Sequence, residues 1–164
     1  MVRRISIYIT NAGVLMWHEV QGRWNGAAAE KMYKGPLRCA LEKAYPSVRG
    51  PWRVLEDNDP TGYKSGRGKV GKADVGIEAF AAPTRSPDLN PLDFSFWAEV
   101  NKRMRQQEKN WPKSRRETRK EFLARLRRTA MRMPSAYVTG IIGALERRCQ
   151  QVEEAHGGHF AEGG

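Results

Sequence analysis

Two carboxylates stand where local backbone geometry is strongly specified. Asp57 follows the apolar run at 52–56, WRVLE, and opens the turn Asp57-Asn58-Asp59-Pro60. Asp93 is an early residue of a helix whose start is set by Asn90 and Pro91. Between the two acids lie 35 residues, with a short strand in the interval. A strand end and a helix start can meet at the carboxyl edge of a sheet. Carboxylates converging there hold divalent cations, because hard cations take oxygen ligands. Paired ions stabilise the attacking and leaving oxygens of a phosphodiester displacement. The same residues also have plain structural uses: Asp57 as a turn former, Asp93 as a negative charge favoured by a helix dipole. Spacing alone leaves that choice open.

Other candidate motifs are weaker. The run Gly66-Arg67-Gly68-Lys69-Val70-Gly71-Lys72 has phosphate-loop spacing, but Ala73 stands where a Ser or Thr should meet magnesium. His18, His156 and His159 lack Cys or acid partners at ligand spacing. Cys39 and Cys149 form neither a zinc spacing nor a disulfide framework, which makes a reducing compartment the default. Trp17, Trp24, Trp52 and Trp97 fall within regular elements and read as core. Trp111, in a basic linker, is the aromatic that could stack on a base.

The elements around these residues follow from periodicity. Residues 4–9 alternate apolar and polar as a strand, and residues 14–20 make a second, so the pair reads as a hairpin about Asn11-Ala12-Gly13. Asn25 caps a helix through the alanines, kinked at Gly35-Pro36 and ended by Pro46. Strands are expected at 52–56 and 77–82. The glycine-rich stretch 58–76 reads as a loop or a poor helix. After Pro91, a helix carries Phe96, Trp97, Val100 and Met104 on one face. Ser114 and Glu117 are read as a capping box before a helix whose inward face is Phe122, Leu126, Ala130 and Met133. A final helix follows Pro134 and closes at Gly157-Gly158.

Charge is concentrated in one segment. The 164 residues carry a net +11. Residues 1–100 hold 14 basic against 11 acidic side chains, whereas residues 101–150 hold 15 against 4. Such a field attracts polyanions, of which nucleic acid is the commonest. The residues that would touch it are Lys102, Arg103, Arg105, Lys109, Lys113, Arg115, Arg116, Arg119, Lys120, Arg125, Arg127, Arg128 and Arg132. DNA is the expected partner ahead of RNA, bound without sequence preference. A solvated helical face is the alternative. No apolar run reaches the ~20 residues that would span a bilayer.

"VLEDNDP" followed by "RSPDLNPLDFSFW" resembles the catalytic domain of the mariner-like transposase superfamily. In that family an apolar strand ends in Asp-Asn-x-Pro, and a Ser-Pro-Asp-Leu-x-Pro motif leads into the third acid of a DDE/D set. "GVLMWHEVQGRWN" and the closing "MRMPSAYVTGIIGALERRCQQVEEAHGGHF" are similar to further family segments. The resemblance spans about residues 4–104 and 129–160. It implies an RNase H-like fold, with Asp57 and Asp93 as second and third catalytic acids and as ligands of Mg²⁺ or Mn²⁺. It also implies departures. The family's first catalytic Asp lies upstream of the counterpart of residues 4–9, as does its helix-turn-helix region. Relatives usually carry a His after Asp-Asn-x-Pro, where this chain has Thr61-Gly62-Tyr63.

The expected fold is therefore α/β: an incomplete RNase H-like mixed sheet over residues 1–104, with a basic α-helical C-terminal extension over 105–164. Residues 4–9 are expected to pair directly with 52–56, or the isolated chain to be marginally stable. The expected function is a truncated, transposase-derived nucleic-acid-binding protein, inactive or nearly so in cleavage and strand transfer, with a homo-oligomer allowed. A non-enzymatic RNA- or DNA-binding adaptor and a gene-model fragment of a longer transposase are the alternatives. The expected location is nuclear in a eukaryote and otherwise cytoplasmic.

Overall fold

The computed structural model describes residues 4–83 and 86–157. They divide into two compact units, one of residues 4–9 and 14–83, the other of residues 10–13 and 86–157. The division after residue 85 differs from the expected one after residue 104, because the helix bearing Asp93 belongs with the later helices and not with the strands.

In the first unit, β1 (Ile5–Thr10) and β2 (Gly13–Glu19) form the hairpin. Gly13 at φ +118° supplies the backbone that its turn needs. The helix α1 (Gly26–Met32) starts at Asn25, whose side chain accepts from the Ala28 N–H at 3.0 Å. Gly35-Pro36 does not break the run. It widens into a π-helical turn over Tyr33–Leu37, because Pro36 has no N–H to give, and helix α2 (Arg38–Ala44) continues beyond it. Ala29, Met32, Tyr33 and Leu37 are fully buried, and with Met16, Leu41 and Ile77 they form the core of this unit.

Strand β3 (Trp52–Glu56) pairs in parallel with β4 (Ile77–Ala81), Trp52 opposite Ile77 and Glu56 opposite Ala81. The hairpin and this pair are separate two-stranded sheets. Of the two alternatives expected, direct pairing of residues 4–9 with 52–56 does not occur; Tyr8 of β1 instead donates a side-chain bond to Glu56 of β3, described below.

The stretch 58–76 is better ordered than its glycines predict. It contains helix α3 (Gly66–Ala73), capped by Ser65, which accepts from the Gly68 N–H at 3.0 Å. Two glycines are there for close approach. A Cβ on Gly71 would lie 2.8 Å from the Glu30 Cα, and α1 packs on α3 at that point. A Cβ on Gly68 would lie 2.9 Å from the Tyr63 carbonyl oxygen and closer still to that of Gly62.

In the second unit a π-helical turn over Leu92–Phe96 runs into α4 (Trp97–Glu108), followed by α5 (Arg119–Met131) and α6 (Ser135–Glu154). Phe96, Val100, Ala130 and Val138 are fully buried, with Met104, Met133 and Ile141 nearly so. The capping box of α5 is Thr118 with Glu121, not Ser114 with Glu117. Thr118 Oγ1 accepts from the Glu121 N–H at 3.3 Å, and Glu121 accepts from the Thr118 N–H at 2.8 Å. Helix α6 ends with Gly157 at φ +81°, its N–H donating to the Val152 carbonyl at 2.8 Å.

Candidate functional site

Strand alternation places Glu56 and Asp57 on opposite sides. Glu56 is 8% exposed, while Asp57 is exposed and its Oδ1 accepts from the Asn58 N–H at 2.7 Å. Glu56 is satisfied from three elements. Lys72 Nζ of α3 donates to its Oε2 at 2.6 Å, Tyr8 of β1 donates to its Oε1 at 3.2 Å, and Tyr33 bonds the same oxygen. Burial, then the neighbouring Glu56 charge, pushes the Tyr8 and Tyr33 hydroxyls well above their ordinary range, so both remain donors. Glu56 is thus a structural anchor next to Asp57.

The turn after Asp57 is fixed by Asp59. Its carboxylate accepts from Trp24 Nε1 at 2.5 Å, from Thr61 N at 3.1 Å and Oγ1 at 2.7 Å, and lies 3.5 Å from Arg4. Burial pushes Asp59 up, but the bonds from Thr61 and Trp24 outweigh it and hold the group below its usual range. Asp57 lines a groove of about 510 Å³ with Glu56, Tyr63, Lys64, Lys69 and Lys72, closed on the strand side by Ile77, Ala79 and Phe80.

Asp93 lies in the other unit, exposed at the helix start that the sequence predicts. Asn90 caps this start: its Oδ1 accepts from the Leu92 N–H at 3.1 Å and its Nδ2 donates to Asp93 Oδ2 at 2.9 Å. Helix α6 holds this turn in place. Tyr137 and Ser95 hydroxyls are 2.8 Å apart, and the Arg148 guanidinium sits 4.1 Å from the Phe94 ring centre. Among the described residues, no three His, Cys, Asp or Glu side chains converge as a metal-binding group.

The basic segment reads differently once folded. Lys102, Arg105, Lys109, Lys113, Arg115, Arg116, Arg119, Lys120, Arg127, Arg128 and Arg132 are exposed, and Arg103 is half-buried. Arg125 is the correction: it is 5% exposed and faces inward. Its guanidinium is taken up by Glu117, Glu108 and the Met104 carbonyl, so it is not a surface contact for nucleic acid. Phe122, read as inward, is 42% exposed, whereas Arg125, Thr129 and Ala130 face the interior. Trp111 is not a free stacking platform, because guanidiniums of Arg115 and Arg125 lie 4.0 and 4.6 Å from its ring centre.

No protein-family model and no curated protein matches the chain. Solved structures do. The fold is α/β, of the RNase H-like transposase catalytic-domain type. The catalytic domain of the Mos1 mariner transposase superposes with a TM-score of 0.77 at 17% identity, covering 97% of this chain and 76% of that chain. The same domain with raltegravir and Mn gives 0.78 at 18% identity, covering 97% and 78%. A pre-cleavage Mos1 transpososome gives 0.80 at 16% identity, but this chain spans only 45% of that chain. At these identities the likeness establishes the fold, which is the one that the Asp57 and Asp93 motifs predict.

Proposed function

We infer that the chain is a transposase-derived, DNA-binding protein. The observation that carries this is a dense run of exposed lysines and arginines along α4, α5 and their connection, in a chain with the fold of the Mos1 catalytic domain. Structures of Mos1 include a paired-end complex and a complex with its left transposon end, which favours DNA over RNA for this chain. Exposed lysines and arginines neutralise phosphates and release counterions without reading sequence. A second copy bound to the same DNA is in keeping with this reading, as is a nuclear location in a eukaryote or a cytoplasmic one elsewhere.

Mos1 structures contain Mn or Mg. In this chain Asp57 and Asp93 are the candidate ligand positions, each a single exposed carboxylate in its own unit. One carboxylate holds a hydrated Mg²⁺ or Mn²⁺ only weakly, since Mg²⁺ keeps several waters. We therefore expect residues 1–164 alone to bind DNA, with at most weak metal-dependent cleavage.

The test is duplex binding by the purified chain and by a variant with Arg115, Arg116, Arg119 and Lys120 all changed to Ala. The variant should bind at least tenfold more weakly in ~0.1 M salt; equal affinity would contradict the reading. Supercoiled plasmid with Mn²⁺, beside an Asp57→Asn control, tests the catalytic part. Nicking that disappears in the control would show a working active site.

A further inference from the structure

We propose that the cleft between α4 and α5 is a phosphodiester-binding site that seats the backbone of duplex DNA. The cleft has a volume of about 520 Å³ and is lined by Arg103, Gln106, Gln107, Arg128, Thr129 and Arg132. Among the described residues, no acidic side chain lines it. Three guanidiniums and two carboxamides offer many N–H donors, and the fork of a guanidinium matches two phosphate oxygens.

The floor is built and not merely charged. Gln107 Nε2 donates to Thr129 Oγ1 at 3.0 Å, and that hydroxyl lies 3.5 Å from Met104 Sδ on the buried side. Arg103 is held from its far side by Glu99, whose carboxylate accepts from Nε at 2.8 Å. That bond uses Nε alone, and Arg103 is among the residues that line the cleft. Arg128 of α5 and Arg132, the residue that caps its C-terminus, are four residues apart and line the same opening. Burying Arg125 completes the arrangement, because it ties α5 to α4 directly through the Met104 carbonyl at 3.1 Å.

The proposal rests on the DNA-binding reading and locates it. Its test uses the whole chain and a 20-base-pair duplex of arbitrary sequence, followed by anisotropy at several salt concentrations. One variant carries Arg103→Gln, Arg128→Gln and Arg132→Gln. A control removes the same charge from the other unit through Lys43→Gln, Arg49→Gln and Arg53→Gln. A third variant, Arg128→Lys with Arg132→Lys, keeps the charge and loses the fork.

The cleft variant should lose at least tenfold in affinity at ~0.1 M salt. Its log–log salt slope should become shallower by about 2–3, at ~0.9 for each phosphate that the variant no longer neutralises. The control should change far less, and the lysine variant should weaken severalfold. Equal losses in the cleft and control variants, or a lysine variant that binds like the natural chain, would overturn the site. Steep salt-dependent binding with an unaffected cleft variant would overturn it too, while leaving the DNA-binding reading standing. A natural chain that does not bind would overturn both. Tighter binding of an RNA duplex of the same length would overturn the choice of DNA.

Discussion

Arg125 and Glu117 form a two-point ion pair: Nε lies 2.8 Å from Oε1 and Nη2 lies 2.6 Å from Oε2. The arginine side chain is 6% exposed and the glutamate 12%, so most of the pair is withdrawn from water. Removing one member of such a pair strands the other. Arg125→Met should therefore destabilise the chain by about 3 kcal/mol, at the low end for buried pairs because Glu108, 43% exposed, can rehydrate. Thermal melting should fall by roughly 6–12 °C. DNA affinity measured well below the melt should fall less than in the variant that removes Arg103, Arg128 and Arg132, since Arg125 supports the cleft between the helices without lining it. A loss of binding without a loss of stability would contradict this placement.

The same pair sets an acid limit. The bonds from Arg125 hold the Glu117 carboxyl below its usual range despite partial desolvation. A carboxylate with a lowered folded pKa contributes stability above its unfolded value, near ~4.3. That contribution disappears as pH falls through the folded value. Melting temperature should thus be insensitive to this group from neutrality to about pH 5 and should fall below that. In Arg125→Met the fall should be shallower, since the lowered pKa has lost its main cause. Parallel pH profiles for the two proteins would refute the assignment.

Glycines divide sharply by position. At Gly71 an added Cβ would meet the Glu30 backbone at 2.8 Å, so Gly71→Ala should push α1 and α3 apart and cost about 1–3 kcal/mol. Gly140 and Gly143, within α6, have nothing within 4 Å of such a Cβ. Alanine at each of these should raise stability by about 0.5–1 kcal/mol through helix propensity. Denaturant midpoints of the three single variants decide it.

Much of this architecture is legible in the sequence because short-range chemistry specifies it. Asn25 and Asn90 cap helices, alternation gives β1, and the Asp57 and Asp93 motifs point to the observed fold. The features that local patterns misplace depend on partners distant in sequence. Arg125 reads as one more surface charge until Glu108 and Glu117 come to either side of it. Gly71 looks like a helix breaker until α1 is seen to need its missing side chain, and Gly68 until the Gly62 and Tyr63 carbonyls are seen to crowd it. Ser114 and Glu117 have capping-box spacing, but Glu117 is drawn instead to Arg125, and the box falls four residues later at Thr118 and Glu121. The cleft of Arg103, Arg128 and Arg132 has no local signal, since it exists only where α4 and α5 pack together.

The salt dependence of duplex DNA binding by the natural chain decides whether its exposed lysines and arginines meet phosphates. If the exposed basic face binds phosphates, log Kd should change linearly with log salt, with an absolute slope of about 4 or more, at ~0.9 per phosphate neutralised. Between ~50 and ~200 mM salt that is a loss of affinity of more than about a hundredfold. An affinity unchanged over this range, or no binding even at the lowest salt, would contradict the account.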